Sequence, residues 1–266
     1  MPKYLRHLRS NLYEHEEDRK ALSQLQDFPF LSKAVNFVMN WTNVKWEQIN
    51  YEGSVFQVTE DVCPELYDLL EDVAKTLDLD YMPRVFTEWS YLINAFTIGH
   101  NEDAMIVLNS GVVDLMTDDE VRFVVGHEMG HIKSGHVLYH QMVWNLTDIL
   151  EHIPFVDTLF RLRALYWYRM SEYTADRAGL LACQNIDVAL SAMTKMAGLP
   201  LKYHKNISRD MILKQAKKFM EGHHDFQKKA MSEIAILDDN HPWLVLRAAE
   251  LIKWYESDEY KSIINI

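Results

Sequence analysis

The stretch His127-Glu128-Met129-Gly130-His131 places two histidines and a glutamate in a pattern that suits metal chemistry. On a helix, residues four positions apart lie on one face, so His127 and His131 point the same way. Two imidazoles in that arrangement can bind one zinc ion, and Glu128 can act as general base on a zinc-bound water. A chance match on a surface or core helix is the alternative that this short pattern leaves open.

The pattern requires a helix, and the residues around it predict one. Thr117-Asp118-Asp119-Glu120 has the form of a capping box, and a run of valines behind it supplies an apolar face. Gly126 and Gly130 each lower helix propensity by roughly 1 kcal/mol relative to alanine. We therefore expect another element to pack closely against the backbone of this helix.

A zinc site needs a third protein ligand and, for catalysis, an open position for water. The segment Ser171-Glu172-Tyr173-Thr174-Ala175-Asp176 lies in a predicted helix, where Glu172 and Asp176 share one face. One of these carboxylates could bind the metal while the other orients a ligand histidine. The alternative is a solvated acidic edge on an amphipathic helix, and spacing alone does not choose between the two.

Four segments together resemble the zinc metallopeptidases of family 48, which include HtpX and the CaaX prenyl proteases. HEMGHIKSGH and SEYTADRAG are similar to the two zinc motifs of that family. Asn94-Ala95-Phe96 resembles the family's edge-strand segment, and Asn240-His241-Pro242, followed by Arg247, resembles its C-terminal segment. The similarity spans roughly residues 54–252, with the segments in family order.

The resemblance implies a zincin-like metallopeptidase domain whose small sheet packs on the helix of the two histidines. It implies that His127, His131 and Glu172 bind one zinc ion per chain and that Asp176 supports a ligand histidine. It also implies a metalloendopeptidase that hydrolyses peptide bonds with Glu128 as general base. The alternative function is a latent or inactive zinc-bearing protein that binds peptides or acts like a chaperone.

The resemblance also implies residues that contact the substrate. His241 and Arg247 would lie across the cleft near the developing oxyanion. Asn94 and Ala95 would pair with the backbone of a peptide or protein substrate that adds a strand to the sheet.

Composition narrows the class of protein. The formal net charge of -12 argues against a nucleic-acid-binding surface. Two cysteines, Cys63 and Cys183, do not make a disulfide framework, so we expect reduced thiols and a cytoplasmic location. The charged N-terminus lacks the apolar region of a signal peptide.

The pattern of apolar residues predicts an α+β chain that is mostly helical. We expect strands at 54–58, 84–87, 93–99 and 104–109. We expect helices at 3–25, 31–48, 60–77, 138–150, 155–183, 187–197, 208–221, 226–236 and 242–256, besides the one that carries the histidines. In this interpretation residues 1–50 are a helical extension of unknown role, and residues 51–266 are one metallopeptidase domain.

Membrane members of the family place spanning helices beside or between the zinc motifs. Here the segment between the motifs, residues 137–168, contains charged residues such as Asp148, Glu151 and Arg161. We therefore expect a soluble, amphipathic insert with no transmembrane segment, which argues against a prenylated membrane substrate.

Overall fold

The computed structural model describes residues 2–28, 31–32, 35, 42–100, 102–145, 158–222 and 243–265. Within these ranges the chain is mostly helical and contains one small sheet of four strands. The α+β class predicted from the sequence is therefore confirmed.

The elements are numbered here in chain order. The helices are α1 Glu16–Gln26, α2 Thr42–Ser54, α3 Pro64–Thr76, α4 Ser110–Leu115, α5 Asp118–Lys133, α6 Val137–Trp144, α7 Thr158–Cys183, α8 Ile186–Met196, α9 Arg209–Gly222, α10 Leu244–Glu256 and α11 Asp258–Ile264. The strands are β1 Phe56–Gln57, β2 Arg84–Glu88, β3 Ala95–His100 and β4 Asp103–Asn109. Short 3-10 helices lie at Ser10–Leu12 and Leu201–Asn206.

The sheet has the strand order β1-β2-β4-β3, so β3 is an outer strand of the part that the structure describes. Strand β2 runs parallel to β4, whereas β1 and β3 run antiparallel to their neighbours. The central strand β4 is buried from Ala104 to Asn109, and its neighbour β3 packs against α5. The sheet thus holds its β3 edge close to the helix with the two histidines.

Helix α5 begins directly after Thr117, as the capping box in the sequence predicted. The backbone N–H of Glu120 donates to Thr117 Oγ1 at 3.4 Å, and the backbone N–H of Thr117 donates to Glu120 Oε2 at 2.7 Å. These bonds satisfy two of the N–H groups that the first turn leaves without helical partners. The start of α5, and with it the phase of its histidine face, is therefore fixed by local sequence.

Small residues let α7 cross α5 at very short range. A Cβ atom added at Gly126 would lie 2.3 Å from the Cβ of Ala182, and one added at Gly130 would lie 2.5 Å from the Cβ of Ala178. This confirms the expected close approach and identifies α7 as the neighbouring element. Glu172 and Asp176 on α7 are consequently brought against the histidines of α5.

We expect Gly126→Ala to lower the free energy of unfolding by about 1–3 kcal/mol, because the added methyl forces the two helices apart. Gly53→Ala is a matched control, since Gly53 lies in α2 with no atom within 4 Å of an added Cβ. Alanine is the better helix former by roughly 1 kcal/mol, so the control should be neutral or stabilising. Chemical denaturation measures both variants, and equal stability of Gly126→Ala and wild type would contradict the proposed spacing role.

The N-terminal segment differs from the helix predicted at 3–25, which was wrong over its first half. The helix starts only at Glu16, where the backbone N–H of Glu17 donates to His15 Nδ1. Before it, Leu5, Leu8 and Tyr13 are buried in the main core, and His7 has a positive φ of 61°. A residue with a positive φ cannot continue a right-handed helix, so residues 2–15 bury these side chains without forming the predicted helix.

The remaining predictions hold with shifted ends or lie outside the described residues. The strand expected at 54–58 is only Phe56–Gln57, and the helix expected at 60–77 starts at Pro64. Residues 33–34 and 36–41 of the first predicted helix, and all of 226–236, lie outside the described ranges. The helix described in the first region is Thr42–Ser54. Among the described residues, no helix combines the length and the hydropathy needed to cross a bilayer.

Candidate metal centre and active site

Three buried side chains from α5 and α7 bring their donor atoms together. His127 Nε2 and His131 Nε2 lie 3.1 Å apart. Glu172 Oε1 lies 3.4 Å from His131 Nε2, and Glu172 Oε2 lies 3.6 Å from His127 Nε2. The three residues form one of the groups that could hold a metal ion in the described part of the chain.

The spacing of these atoms fits zinc. Ligand atoms about 2.0–2.2 Å from a tetrahedral zinc ion lie about 3.3–3.6 Å from one another. The observed separations of 3.1, 3.4 and 3.6 Å agree with that range to within a few tenths of an ångström. Two imidazoles and one carboxylate are also a donor set that catalytic zinc sites use.

The protonation states of two of these donors suit metal binding. Burial lowers the pKa of His131 to about 4, so its imidazole is neutral at pH 7. Burial raises the pKa of Glu172, but the charge of Arg247 and the contacts with His131 and His127 outweigh it and hold that pKa well below its usual range. A neutral imidazole and an ionised carboxylate are the forms that can bind a metal cation.

His127 is oriented by a carboxylate on α7. Its Nδ1 lies 3.0 Å from Asp176 Oδ1, which leaves Nε2 facing His131 and Glu172. If Nε2 binds a metal, Nδ1 carries the proton, and this N–H donates a hydrogen bond to Asp176. Burial lowers the pKa of His127, whereas the bond to Asp176 and the charge of Glu172 raise it above its ordinary value overall.

Arg247 joins α10 to the two carboxylates of α7. Its Nε and Nη2 donate to Asp176 Oδ2 and Oδ1 at 2.7 and 2.6 Å, and its Nη1 lies 2.7 Å from Glu172 Oε2. The guanidinium is buried with both acids. These contacts fix the carboxylates that face the two histidines, while the role of Arg247 toward an oxyanion stays a prediction.

Glu128 is buried beside the three donors and is held by the sheet. Thr97 Oγ1 on β3 donates to Glu128 Oε2 at 2.7 Å. Burial raises the pKa of Glu128 above the ordinary value of a glutamate. A carboxylate with a raised pKa is better matched to proton transfer near neutral pH than an exposed one.

The comparison with known families agrees with this geometry. The sequence profile described as Peptidase family M48 matches residues 62–255, which is most of the chain. The chain belongs to peptidase family M48. It is accordingly a metallopeptidase, and the resemblance seen in its motifs is confirmed.

M48 relatives differ in how much of the chain they match. The Arabidopsis thaliana protein named plastoglobule-localized metallopeptidase 48, chloroplastic, is 25% identical over 99% of this chain and 78% of its own length. A protease HtpX homolog from Persephonella marina is 27% identical over 49% of this chain and 46% of its own length. One from Streptococcus agalactiae is 33% identical over 38% of this chain and 33% of its own length. No solved structure gives a significant match.

The name of the Arabidopsis relative assigns that protein to chloroplast plastoglobules. The cytoplasmic location that we expected for this M48 chain therefore stays a prediction.

The predicted substrate residues of this M48 chain lie at the start of the outer strand β3. The backbone carbonyl of Asn94 accepts from the N–H of Asn109 at 3.0 Å, and Ala95 is buried opposite Leu108 of β4. In the described sheet no further strand pairs with the other side of β3. His241, the other residue expected near the substrate, lies outside the described residues.

The structure adds residues around the M48 motifs that sequence reasoning did not select. Thr97 contacts Glu128, and His136 and Asp18 continue the hydrogen bonds behind His131. His136 stands at the N-cap position of α6. The only sequence signal for its contact was its position five residues after His131, whereas Thr97 and Asp18 belong to no motif.

Proposed function

We propose that the chain is a zinc-dependent endopeptidase that uses one zinc ion held by His127, His131 and Glu172. The observation that supports this most strongly is the spacing of the three donor atoms, 3.1 to 3.6 Å apart, beside the buried Glu128. Zinc, when bound, would supply a Lewis acid that polarises a carbonyl and makes water more acidic.

In this proposal Glu128 is the proton-transfer group. It takes one proton from the attacking water as the oxygen adds to the scissile carbonyl carbon. It then delivers that proton to the amine nitrogen as the C–N bond breaks, so that the carboxylate is regenerated. The hydroxyl of Thr97, 2.7 Å from Oε2, orients the carboxylate during both steps.

The outer strand β3 is the proposed place for the substrate backbone. An extended peptide would pair with the edge near Asn94 and Ala95 and so bring its scissile bond to Glu128, which β3 already contacts through Thr97. Such pairing reads the backbone rather than a chain end, which favours cleavage inside a peptide or protein. His241 and Arg247 are the proposed helpers for the oxyanion.

Metal content and cleavage together test the proposed function. Purified protein should contain about one zinc ion per chain and cleave an unstructured polypeptide whose two termini are blocked. A chelator should stop cleavage, and added zinc should restore it. Bound zinc without cleavage would instead favour a latent or inactive peptide-binding protein, and absence of zinc would overturn the proposal.

His241→Phe tests the proposed oxyanion contact. Loss of one such donor costs about 10²–10³ in kcat, so we expect kcat to fall by roughly 10²-fold or more. Zinc content and melting temperature should stay near wild type, because His241 is not a proposed ligand. A variant that melts at a lower temperature but keeps its kcat would return His241 to a structural role.

A further inference from the structure

Helix α1 places a carboxylate behind the metal centre from outside the matched M48 region. Asp18 is fully buried, although it follows two acidic residues, Glu16 and Glu17, that are exposed or only half-buried. It lies well before residue 62, where the match to the family begins. The N-terminal segment therefore contributes a charged group to the interior of the protein, close to the site.

A continuous line of hydrogen bonds leads from His131 to Asp18. His131 Nδ1 lies 3.0 Å from His136 Nδ1, and His136 Nε2 lies 3.2 Å from Asp18 Oδ2. Because His131 Nε2 faces the other proposed ligands, its Nδ1 carries the proton, and this N–H donates a hydrogen bond to His136 Nδ1. His136 Nδ1 is then an acceptor, and its Nε2–H donates to Asp18.

Asp18 is itself fixed to the helix that carries Glu172. Thr174 Oγ1 donates to Asp18 Oδ2 at 2.6 Å, and the backbone N–H of His15 donates to Thr174 Oγ1 at 3.0 Å. Burial raises the pKa of Asp18, but His136 and the hydrogen bonds outweigh it and lower that pKa below its ordinary value. The carboxylate is therefore an ionised acceptor at neutral pH.

The two ligand histidines are thus supported in parallel ways. His127 donates directly to the carboxylate of Asp176, whereas His131 reaches the carboxylate of Asp18 through His136. Partners of this kind fix the tautomer and the ring orientation of a ligand histidine and make it a stronger donor. The first support lies within the M48 motifs, and the second depends on residues 16–26.

We propose that Asp18 is a positioning residue of the metal centre, which orients His131 through His136, and that metal binding therefore depends on helix α1. This inference rests on the proposed zinc site. It assigns a role to the N-terminal segment: removal of α1 would weaken metal binding even if the rest of the fold stayed intact.

Asp18→Asn tests the proposal in the full-length chain, with zinc affinity measured by competition against a chromophoric chelator. The change keeps the shape and one acceptor oxygen but removes the charge, so zinc should bind roughly 10- to 100-fold more weakly. Glu16→Gln is the matched control, because Glu16 lies in the same first turn but its side chain is 67% exposed. Its zinc affinity should stay within about twofold of wild type.

A second background shows whether Asp18 acts through His136. In His136→Asn, the amide can still accept from His131 Nδ1, but the contact with Asp18 is lost. Zinc affinity should fall roughly 10- to 100-fold, and adding Asp18→Asn should cause no further loss, because the two residues act in one line. The melting temperature of each metal-free variant separates loss of fold from loss of affinity.

The results separate the alternatives. Wild-type zinc affinity in a folded Asp18→Asn protein overturns the proposal. The proposal is also overturned if Asp18→Asn weakens zinc binding by the same factor in the His136→Asn background. It is overturned too if Glu16→Gln weakens zinc binding as much as Asp18→Asn does. If Asp18→Asn does not fold, His136→Asn alone decides, and wild-type affinity there overturns the proposal. A wild-type protein that binds no zinc would instead refute the proposed function and this inference with it.

Discussion

Glu128→Gln is expected to abolish peptide hydrolysis while the protein keeps its zinc. The substitution removes the proposed base, and general acid–base catalysis contributes about 10²–10⁴-fold to such rates. It removes no proposed ligand, and the amide oxygen can still accept from Thr97 Oγ1, which lies 2.7 Å from the carboxylate in the wild type. Turnover of an unstructured polypeptide and zinc content per chain are the two measurements.

Asp119→Asn is the control for Glu128→Gln, because it removes an acid from the same helix at a site where the side chain is 67% exposed. It should keep both its zinc and its activity. Full activity in a zinc-loaded Glu128→Gln protein would contradict the proposed mechanism, since another group would then have to transfer the proton.

Glu172→Ala is expected to lose zinc during dialysis against a mild chelator. Two histidines alone are too few ligands for a stable protein zinc site. The alanine also leaves Arg247 without one of its two carboxylates, so Glu172→Gln should be measured beside it to preserve the packing. The amide is a much weaker ligand than the carboxylate, and both variants should be depleted of metal.

Asp176→Asn is the informative comparison for Glu172→Ala. Asp176 bonds to His127 Nδ1 and is not a proposed ligand. This variant should therefore keep its metal, with a zinc affinity reduced roughly 10- to 100-fold. If the alanine variant instead retains stoichiometric zinc, the third ligand lies elsewhere, and the assignment of Glu172 fails.

Local sequence was enough to predict the elements that carry the chemistry. Thr117 and Glu120 marked the start of α5 because a capping box acts over only three residues. Gly126 and Gly130 predicted a close neighbour, since glycine inside a helix is unfavourable unless something requires the space. That the neighbour is α7 depends on tertiary packing, and no local pattern contains this information.

Apart from the contact of Asp176 with a histidine, the supporting contacts of the site could not be predicted for the same reason. Glu16, Glu17 and Asp18 are equivalent acids in sequence, and only the packing of α1 on α7 makes the third one buried. Arg247 was placed near an oxyanion by resemblance, whereas its observed contacts are with Asp176 and Glu172. Both cases involve pairs of residues far apart in the chain, where spacing carries no information.

The crossing of α5 and α7 through glycines and alanines also affects how the protein exchanges metal. Because close packing at Gly126 and Gly130 sets the distance between the helices, we expect the fold itself to hold the proposed ligands in place. In zinc fingers, by contrast, metal binding and folding are one event, so chelators unfold them. Here the removal of metal should leave a folded apoprotein, so that loss of activity and loss of structure are separate and chelation is reversible.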